Sequence, residues 1–256
     1  MWSNIFDSHA HYTNSEYDED RGKLLAGLPE KGVKYVLLAS SSVETSRQSF
    51  EIATKYSYIY MAAGVHPGCA EETPKGYLKT IEGLARQKKV VAIGEIGLDY
   101  HYDNHNKSRQ LEIFEEQLVL AKKLKLPVII HSRDATESTL NMLKRYMPKG
   151  VMHCFSASKE TAKILIDMGL YISFTGVVTF KNARNSIDVL GSIPLERLLL
   201  ETDCPYMAPH PFRGQRCDSS MIIHIAQKVA QIHGMDTQKI LDITCENAVN
   251  LFQIPQ

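Results

Sequence analysis

Short runs of consecutive apolar residues recur along the chain and alternate with longer stretches of helical periodicity. Within each run the apolar residues are continuous, as expected of strands that are buried on both faces. The runs are Asn4–Asp7, Lys34–Ala39, Tyr58–Ala63, Val90–Ile93, Pro127–Ile130, Gly150–Met152, Leu170–Phe174 and Arg197–Leu200. The pattern therefore predicts eight buried strands.

The stretches between these runs have the spacing of amphipathic helices. The clearest is Lys107–Lys125, where Leu111, Phe114 and Leu118 recur at intervals of three and four residues. The same spacing predicts helices over Val43–Tyr56, Pro74–Lys88, Ala135–Tyr146, Ser158–Met168, Ala183–Gly191, Ser219–His233 and Thr237–Phe252.

Strands that alternate with helices predict a parallel sheet, because a crossover must connect each strand to the next. Eight such units in 256 residues match the size of an α/β fold of the (β/α)8 TIM-barrel type, with two helices at the C-terminal end. An open doubly wound sheet is the alternative, although no G-x-G-x-x-G motif follows the first strand. Since no linker or internal repeat is visible, we expect one domain over residues 1–256.

The composition narrows the classes of partner. The formal net charge is zero, whereas proteins that coat nucleic acid with a broad surface are markedly basic, so any nucleic acid is expected to bind locally in a pocket. The first residues do not resemble a signal peptide, and no apolar run approaches the roughly 20 residues of a membrane span. Five scattered cysteines without a C-x-x-C pair favour a reducing, cytoplasmic setting.

Metal-competent or charged residues follow six of the eight predicted strands. In a barrel, the carboxyl ends of all strands converge on one mouth, where enzymes of this fold have their active sites. The segments are Asp7–His11, Gly64–Pro67, Gly94–Asp99, His131–Asp134, His153–Phe155 and Glu201–Pro205. We therefore expect these side chains to form one site.

The residue types in these segments indicate a metal centre. His9 and His11 are two residues apart, so both point to the same side of an extended strand and can bind one ion. Imidazole suits Zn²⁺ or Mn²⁺, and carboxylates add affinity for Mn²⁺ and Mg²⁺. Four histidines and two carboxylates suit two divalent ions that share a carboxylate bridge. The predicted ligands are His9, His11, Glu95, His131, His153 and Asp203.

Other polar residues near the strand ends have more than one interpretation. His66, Arg133 and Arg213 could bind an anionic substrate, since arginine grips phosphate in a bidentate manner, or they could form salt bridges at the rim. Asp99 and Glu201 could orient ligand histidines from behind, and Asp99 could instead cap a turn. We expect the remaining histidines on the surface or in loops; these are His101, His105, His210, His224 and His233.

Taken together, the segments resemble the TatD family of metal-dependent deoxyribonucleases, within the amidohydrolase superfamily. The resemblance extends in order from residue 5 to about residue 252. The matching segments are Asp7–His11, Gly64–Pro67, Ile93–Asp99, Pro127–Asp134, His153–Ser156, Ser173–Gly176, Leu200–Tyr206, Arg213–Gly214 and Glu246–Ala248 with Leu251–Phe252.

The resemblance implies a TIM-type barrel with a divalent metal centre, in which Glu95 bridges the ions. It also implies that His66, Arg133 and Arg213 approach the phosphate. One segment departs from the family, where Arg213-Gly214 is usually followed by Asn-Glu-Pro. Here the chain continues as Gln215–Ser220, and this difference bears on substrate preference.

The function expected on these grounds is phosphodiester hydrolysis in DNA by water that two metal ions activate. Asp203 is the predicted proton acceptor and Glu95 the second catalytic residue. A narrow mouth favours strand ends or unpaired nucleotides, and the family suggests a 3′–5′ exonuclease on single-stranded or damaged DNA. We expect the protein to be a monomer. The alternatives are a small-molecule hydrolase acting on an amide, lactone or phosphoester, and a binding protein without catalysis.

Overall fold

Eight parallel strands in sequential order form the centre of the molecule. The computed structural model describes residues 2–102 and 106–255. The strands are β1 (Ile5–Ala10), β2 (Val33–Leu38), β3 (Ile59–Ala63), β4 (Val90–Asp99), β5 (Val128–Arg133), β6 (Gly150–Met152), β7 (Tyr171–Phe174) and β8 (Leu198–Leu200). All eight predicted strands are present, with boundaries shifted by a few residues.

The residues that follow β8 return to β1 and nearly close the sheet into a barrel. The His11 amide donates to the Cys204 carbonyl at 2.8 Å, and the Asp203 amide donates to the His9 carbonyl at 2.9 Å. The predicted TIM-type barrel is therefore confirmed, and the alternative of an open sheet is wrong, because the last strand neighbours the first.

The helices pack around the outside of the barrel. They are α1 (Arg21–Gly27), α2 (Val43–Lys55), α3 (Tyr77–Ala85), α4 (Lys107–Leu124), α5 (Thr136–Tyr146), α6 (Lys159–Asp167), α7 (Arg184–Leu190), α8 (Ile222–His233) and α9 (Thr237–Phe252). Side-chain caps set several of the starts: Ser42 and Thr45 form a capping box on α2, and Ser158 accepts from the Thr161 amide at the start of α6. None of the helices in the described ranges has the length and apolarity to cross a membrane.

Two apolar cores lie on either side of the strands. The larger core joins the outer faces of the strands to the helices. The smaller core fills the barrel interior with Phe6, Leu37, Ile129 and Leu199, and α9 packs against it through residues that include Phe252. Apolar residues fill this part of the interior, so the polar side chains that face the interior lie at the carboxyl ends of the strands.

Strand β4 is longer than the predicted Val90–Ile93, since it continues to Asp99 and carries Glu95 within it. Gly97 makes this extension possible. It has a φ of +144°, and a Cβ atom there would lie 2.0 Å from the carbonyl oxygen of His131. Without a side chain at Gly97, β4 and β5 approach closely beside the two predicted ligands Glu95 and His131.

Candidate metal centre

The structure brings all six predicted ligands together at the carboxyl end of the barrel. His9 lies in β1, Glu95 in β4 and His131 in β5, and the other ligands follow directly after β1, β6 and β8. Groups of close ligand atoms are His9–Glu95–His153 and His9–His11–Asp203, which share His9, and a separate group in which His66 and Asp99 lie beside the predicted ligand His131. His9 and Glu95 are buried, whereas His11 and Asp203 are partly open to the mouth.

The Glu95 carboxylate lies between two sets of donors. Its Oε2 atom faces the first set, at 3.3 Å from His9 Nε2 and 3.8 Å from His11 Nε2. Its Oε1 atom faces the second set, at 2.9 Å from both His131 Nδ1 and His153 Nε2. Asp203 belongs to the first set, because its Oδ1 lies 3.2 Å from His11 Nε2.

The spacing of the imidazole nitrogens fits metal coordination. His9 Nε2 and His11 Nε2 are 3.1 Å apart, and His131 Nδ1 and His153 Nε2 are 3.2 Å apart. Two nitrogens on one tetrahedral ion, each bonded at about 2.0–2.1 Å, are separated by roughly 3.3 Å. The donor set, with imidazoles and carboxylates around one carboxylate, therefore suits divalent cations.

Hydrogen bonds behind the histidines select the nitrogen that faces the centre. His11 Nδ1 lies 3.1 Å from the Ala39 carbonyl, so this nitrogen donates and Nε2 keeps its lone pair. His131 Nε2 lies 3.2 Å from Asp99, so that Nδ1 faces Glu95. His153 Nδ1 forms no hydrogen bond with a described residue, and its nearest carboxylate oxygen is that of Glu201 at 3.4 Å. Asp99 and Glu201 thus occupy the positions behind ligand histidines that the sequence suggested.

The carboxylates control the protonation of the cluster. Burial by itself would raise the pKa of Glu95, but the surrounding histidines hold that pKa well below its usual range. Burial opposes protonation of His153, yet Glu95 and Glu201 raise the pKa of His153 well above the ordinary value. For Asp99 burial is likewise outweighed, chiefly by the His131 hydrogen bond, and its pKa falls to about 2. Without cations, the cluster therefore holds ionised carboxylates and protons that a cation would displace.

His66 is held in one tautomer. The Gly68 amide donates to His66 Nδ1 at 3.0 Å, so the proton of the neutral ring sits on Nε2. That nitrogen lies 3.5 Å from Glu95 Oε1. Burial lowers the pKa of His66 to about 4, so the ring is neutral near pH 7. His66 therefore presents an N–H donor to the centre and no lone pair.

Asp7 has a supporting role that the sequence did not reveal. Its buried carboxylate accepts from Thr202 Oγ1 and Ser219 Oγ, each at 2.6 Å, and from the Thr202 amide at 2.9 Å. Burial raises the pKa of Asp7 to about 7 although these donors act in the opposite direction. The contacts tie β1, two residues before His9, to the segment after β8 that carries Asp203.

A cavity of about 350 Å³ lies over the centre. His11, Glu95, His131, His153 and Asp203 reach its surface, as does His66. The sequence analysis missed the remaining lining residues, which lie on loops except for Thr45 in the first turn of α2: Thr13, Asn14, Ser41, Thr45 and Tyr206. Tyr206 is the last residue of the segment Leu200–Tyr206, which contains Asp203 and matches the family. This was the one feature of the sequence that could have indicated Tyr206 as a lining residue.

The two predicted substrate-binding arginines lie outside this cavity. Arg133, at the end of β5, is exposed and its guanidinium lies 5.7 Å from the centre of the Tyr102 ring. Arg213 lies 4.5 Å from the centre of the Phe180 ring and lines a neighbouring cavity. Neither arginine forms an ion pair with a residue in the ranges 2–102 and 106–255.

The unusual segment Gln215–Ser220 packs against the loop that follows β1. Arg216 forms a two-pronged ion pair with Asp20 at 2.6 and 2.8 Å, and the Ser219 hydroxyl donates to Asp7.

The remaining histidines lie away from the centre. His101 is exposed and lies 2.8 Å from Asp134, and His210 is exposed in a loop. His224 and His233 lie partly buried on α8 rather than in loops. His105 lies outside the described residues.

Comparison with known proteins places this centre in a family. The family model described as TatD related DNase matches residues 6–253. A Bacillus subtilis protein named uncharacterized metal-dependent hydrolase YabD is 42% identical, over 98% of this chain and 99% of its own length. A Salmonella typhimurium protein named 3′-5′ ssDNA/RNA exonuclease TatD is 33% identical, over 98% of this chain and 99% of its own length.

A solved structure agrees with this assignment. The crystal structure of a TatD homologue from Escherichia coli superposes with a TM-score of 0.93 at 31% identity, and each chain is covered completely. The barrel is thus the one found in a family whose relatives are named metal-dependent hydrolases and nucleases. This chain belongs to the TatD-related DNase family and is a metal-dependent hydrolase.

Proposed function

We propose that this enzyme is a deoxyribonuclease that removes nucleotides from the 3′ ends of single-stranded or damaged DNA. The observation that carries the proposal is the placement of Glu95 between two donor sets on the floor of an open cavity. The name of the Salmonella relative, a 3′-5′ exonuclease on single-stranded DNA and RNA, supports this substrate class.

The two donor sets would hold two divalent cations. His9, His11 and Asp203 form one set, His131 and His153 form the other, and Glu95 contributes one oxygen to each. Divalent cations at such a site supply Lewis acidity, which lowers the pKa of bound water and stabilises negative charge on phosphoryl oxygens. Mg²⁺, Mn²⁺ and Zn²⁺ all accept this mixed donor set.

Asp203 would accept the proton of the attacking water. Burial acts to raise its pKa, but the hydrogen bond and charge of His11 outweigh burial and keep the pKa below its usual value. The carboxylate is therefore ionised, and it reaches the surface of the cavity. An ionised carboxylate beside the reacting atoms has the charge state that a general base needs.

The cationic and N–H groups around the cavity would bind the phosphate. His66 supplies a neutral N–H donor, which stabilises charge on a phosphoryl oxygen without competing for a cation. Arg133 and Arg213 stand farther out at the rim, where they would contact phosphates of neighbouring nucleotides. The nearly neutral chain thus concentrates its contacts to DNA at the mouth.

The dimensions of the cavity favour an unpaired strand. Its volume of about 350 Å³ is at the lower end of the range for small-molecule sites, about 300–1,000 Å³. A cavity of this size holds a single nucleotide, whereas an intact duplex would remain outside. The expectations of a monomer in the cytoplasm stay predictions, and the five unpaired cysteines are consistent with a reducing compartment.

The test is an assay on defined strands after removal of all metal. Protein refilled with Mn²⁺ or Mg²⁺ is expected to shorten single-stranded DNA from its 3′ end, with slower action on duplex. RNA, abasic DNA and a cyclic amide serve as competing substrate classes. Retention of full-length single strands, together with turnover of the cyclic amide, would establish the small-molecule alternative instead.

A further inference from the structure

A second cavity adjoins the metal centre and shares one wall with it. Its volume is about 370 Å³, and Tyr206 lines both this cavity and the cavity over the metals. We call it the flanking cavity. Its other lining residues are Glu16, Phe180, Pro205, Met207, Ala208, Arg213, Gly214, Gln215 and Arg216. A ligand that occupied both cavities would pass over Tyr206.

The shared wall is held in place from both sides. The hydroxyl of Tyr206 accepts from Asn14 Nδ2 at 2.9 Å, and its ring stays 50% exposed. The adjoining loop is fixed at Gly176, where a Cβ atom would lie 2.0 Å from the Met207 carbonyl oxygen. The His210 amide also donates to Thr179 Oγ1 at 2.8 Å. The turn that ends at Phe180 and the segment of Tyr206 and Met207 are therefore packed together as one surface.

Aromatic and apolar faces line this surface together with the carboxylate of Glu16 and two arginines, of which Arg213 has no ion-pair partner among the described residues. Met207 is 39% exposed beside Tyr206, and Phe180 lies 4.5 Å below the Arg213 guanidinium. Arg216 also lines the cavity, but Asp20 neutralises it through the two-pronged ion pair. Arg213 forms no ion pair with any described residue, so its charge is available to an anion.

We propose that the flanking cavity binds the next nucleotide of the single strand whose end lies over the metal centre. The inference rests on the proposed function. The base stacks against Phe180 and Tyr206, and the phosphate of that nucleotide pairs with Arg213. Aromatic side chains beside a free cation are the combination that single-strand binding sites use, and stacking of this kind tolerates every base.

The position of Tyr206 in the lining of both cavities favours a nucleotide over other anions. A free phosphate would need only Arg213, and an acidic peptide would not use a stacking face next to a phosphodiesterase centre. A single strand that crosses Tyr206 uses both the stacking face and the charge of Arg213. The flanking cavity thus explains how the enzyme would distinguish a strand from a mononucleotide ester.

The kinetic test is the ratio of kcat/KM for a single-stranded tetranucleotide to kcat/KM for thymidine 5′-p-nitrophenyl phosphate, both with Mn²⁺. Phe180→Leu keeps the apolar volume but removes the aromatic face, and it is expected to lower this ratio about tenfold. Arg213→Gln is expected to lower it by a similar factor through KM. Arg197→Gln is the matched control, since Arg197 also lies over an aromatic ring, that of Tyr171, but at the amino-terminal end of β8.

The binding test uses Asp203→Asn protein with Mn²⁺ and oligonucleotides that carry 2-aminopurine next to either end. Stacking is expected to quench the fluorescence of one of the two probes, and adding Phe180→Leu is expected to restore it. Quenching that persists in the Phe180→Leu variant would overturn the flanking cavity as a nucleotide site. The same conclusion would follow if Phe180→Leu and Arg213→Gln had the same ratio of tetranucleotide to ester kcat/KM as the parent protein. If the parent protein hydrolyses no nucleic acid, the proposed function itself is rejected. Measuring the ester and tetranucleotide rates of the parent protein separates this outcome from failure of the flanking cavity alone.

Discussion

The metal centre and the rim of the mouth are built in opposite ways. At the centre, His9, Glu95 and His153 are buried, and His11 and His131 each have a second partner that fixes the orientation of the ring, such as Asp99 behind His131. At the rim, Arg133 and Arg213 are exposed, and each guanidinium lies over one aromatic ring. We infer from this difference that the predicted metal ligands are held rigidly, whereas the groups proposed to contact substrate are few and can be replaced with smaller effects. Substitutions at the centre should therefore act on metal and turnover, and those at the rim on KM.

The largest effect is expected for Glu95→Gln. The change removes the charge that faces both donor sets, so metal content and kcat/KM should fall together, the latter by roughly 10⁴-fold or more because several kcal/mol of stabilisation is lost. Metal analysis and single-strand hydrolysis measure the two quantities. Glu246→Gln is the control, since Glu246 is exposed on α9. Wild-type turnover with Glu95→Gln would contradict the bridging role.

Asp203→Asn should follow in size. The amide cannot accept the proton of the attacking water, and loss of a general base costs about 10²–10⁴-fold in rate. The loss should appear in kcat, measured at saturating Mn²⁺ so that a weaker affinity for the cation does not contribute. An unchanged kcat would mean that another group accepts the proton.

Asp99→Asn should act through the metal and not through the reaction itself. Loss of the carboxylate behind His131 is expected to weaken metal affinity about 10–100-fold. A metal titration of activity measures this, and kcat at saturating metal should be close to that of the parent. Asp134→Asn provides the control, because Asp134 is exposed and its carboxylate pairs with His101 at the surface. Equal metal affinities for the two variants would remove Asp99 from the account.

Metal affinity should rise with pH. The carboxylates outweigh burial and raise the pKa of both His131 and His153 in the metal-free protein, so cations must displace protons from these rings. If one proton leaves per cation, affinity falls roughly tenfold for each unit of decrease in pH. Calorimetry in buffers of different ionisation enthalpy counts the protons released. A pH-independent affinity with no proton release would show that the rings are already neutral.

The smallest effect is expected at the rim. Arg133→Gln should raise KM for single-stranded DNA about fivefold and leave kcat nearly unchanged, because one phosphate contact is lost. The dependence of KM on salt should also become shallower. Arg145→Gln is the control, since Arg145 pairs with Glu115 on the helical surface. A large loss of kcat with Arg133→Gln would place this arginine at the reacting phosphate and remove the contrast between centre and rim.

The sequence predicted the barrel and the convergence of the ligands because both follow from local patterns. Buried strands leave continuous apolar runs, and a parallel barrel gathers whatever follows them. Helix α1 was missed because its seven residues contain two glycines and a single buried residue, Leu25. The end of β4 was missed because Gly94, Glu95 and Gly97 interrupt its apolar run.

The remaining parts of the site depend on contacts that are distant in the sequence. Besides the His9 amide, Asp7 accepts from Thr202 and Ser219, about two hundred residues away, and no local pattern indicates such a pairing. The same holds for Tyr206, whose position between two cavities follows from the path of two loops. Loop paths are set by tertiary packing, so the residues that line the mouth beside the predicted histidines and carboxylates could be located only in the structure.

The central claim is that Glu95 joins two cation positions, and a crystal grown with Mn²⁺ tests it most directly. Anomalous scattering is expected to show two peaks, one beside His9, His11 and Asp203 and one beside His131 and His153, with a Glu95 oxygen bound to each. A single peak at saturating Mn²⁺, or a second peak between His66 and Asp99 away from Glu95, would contradict it.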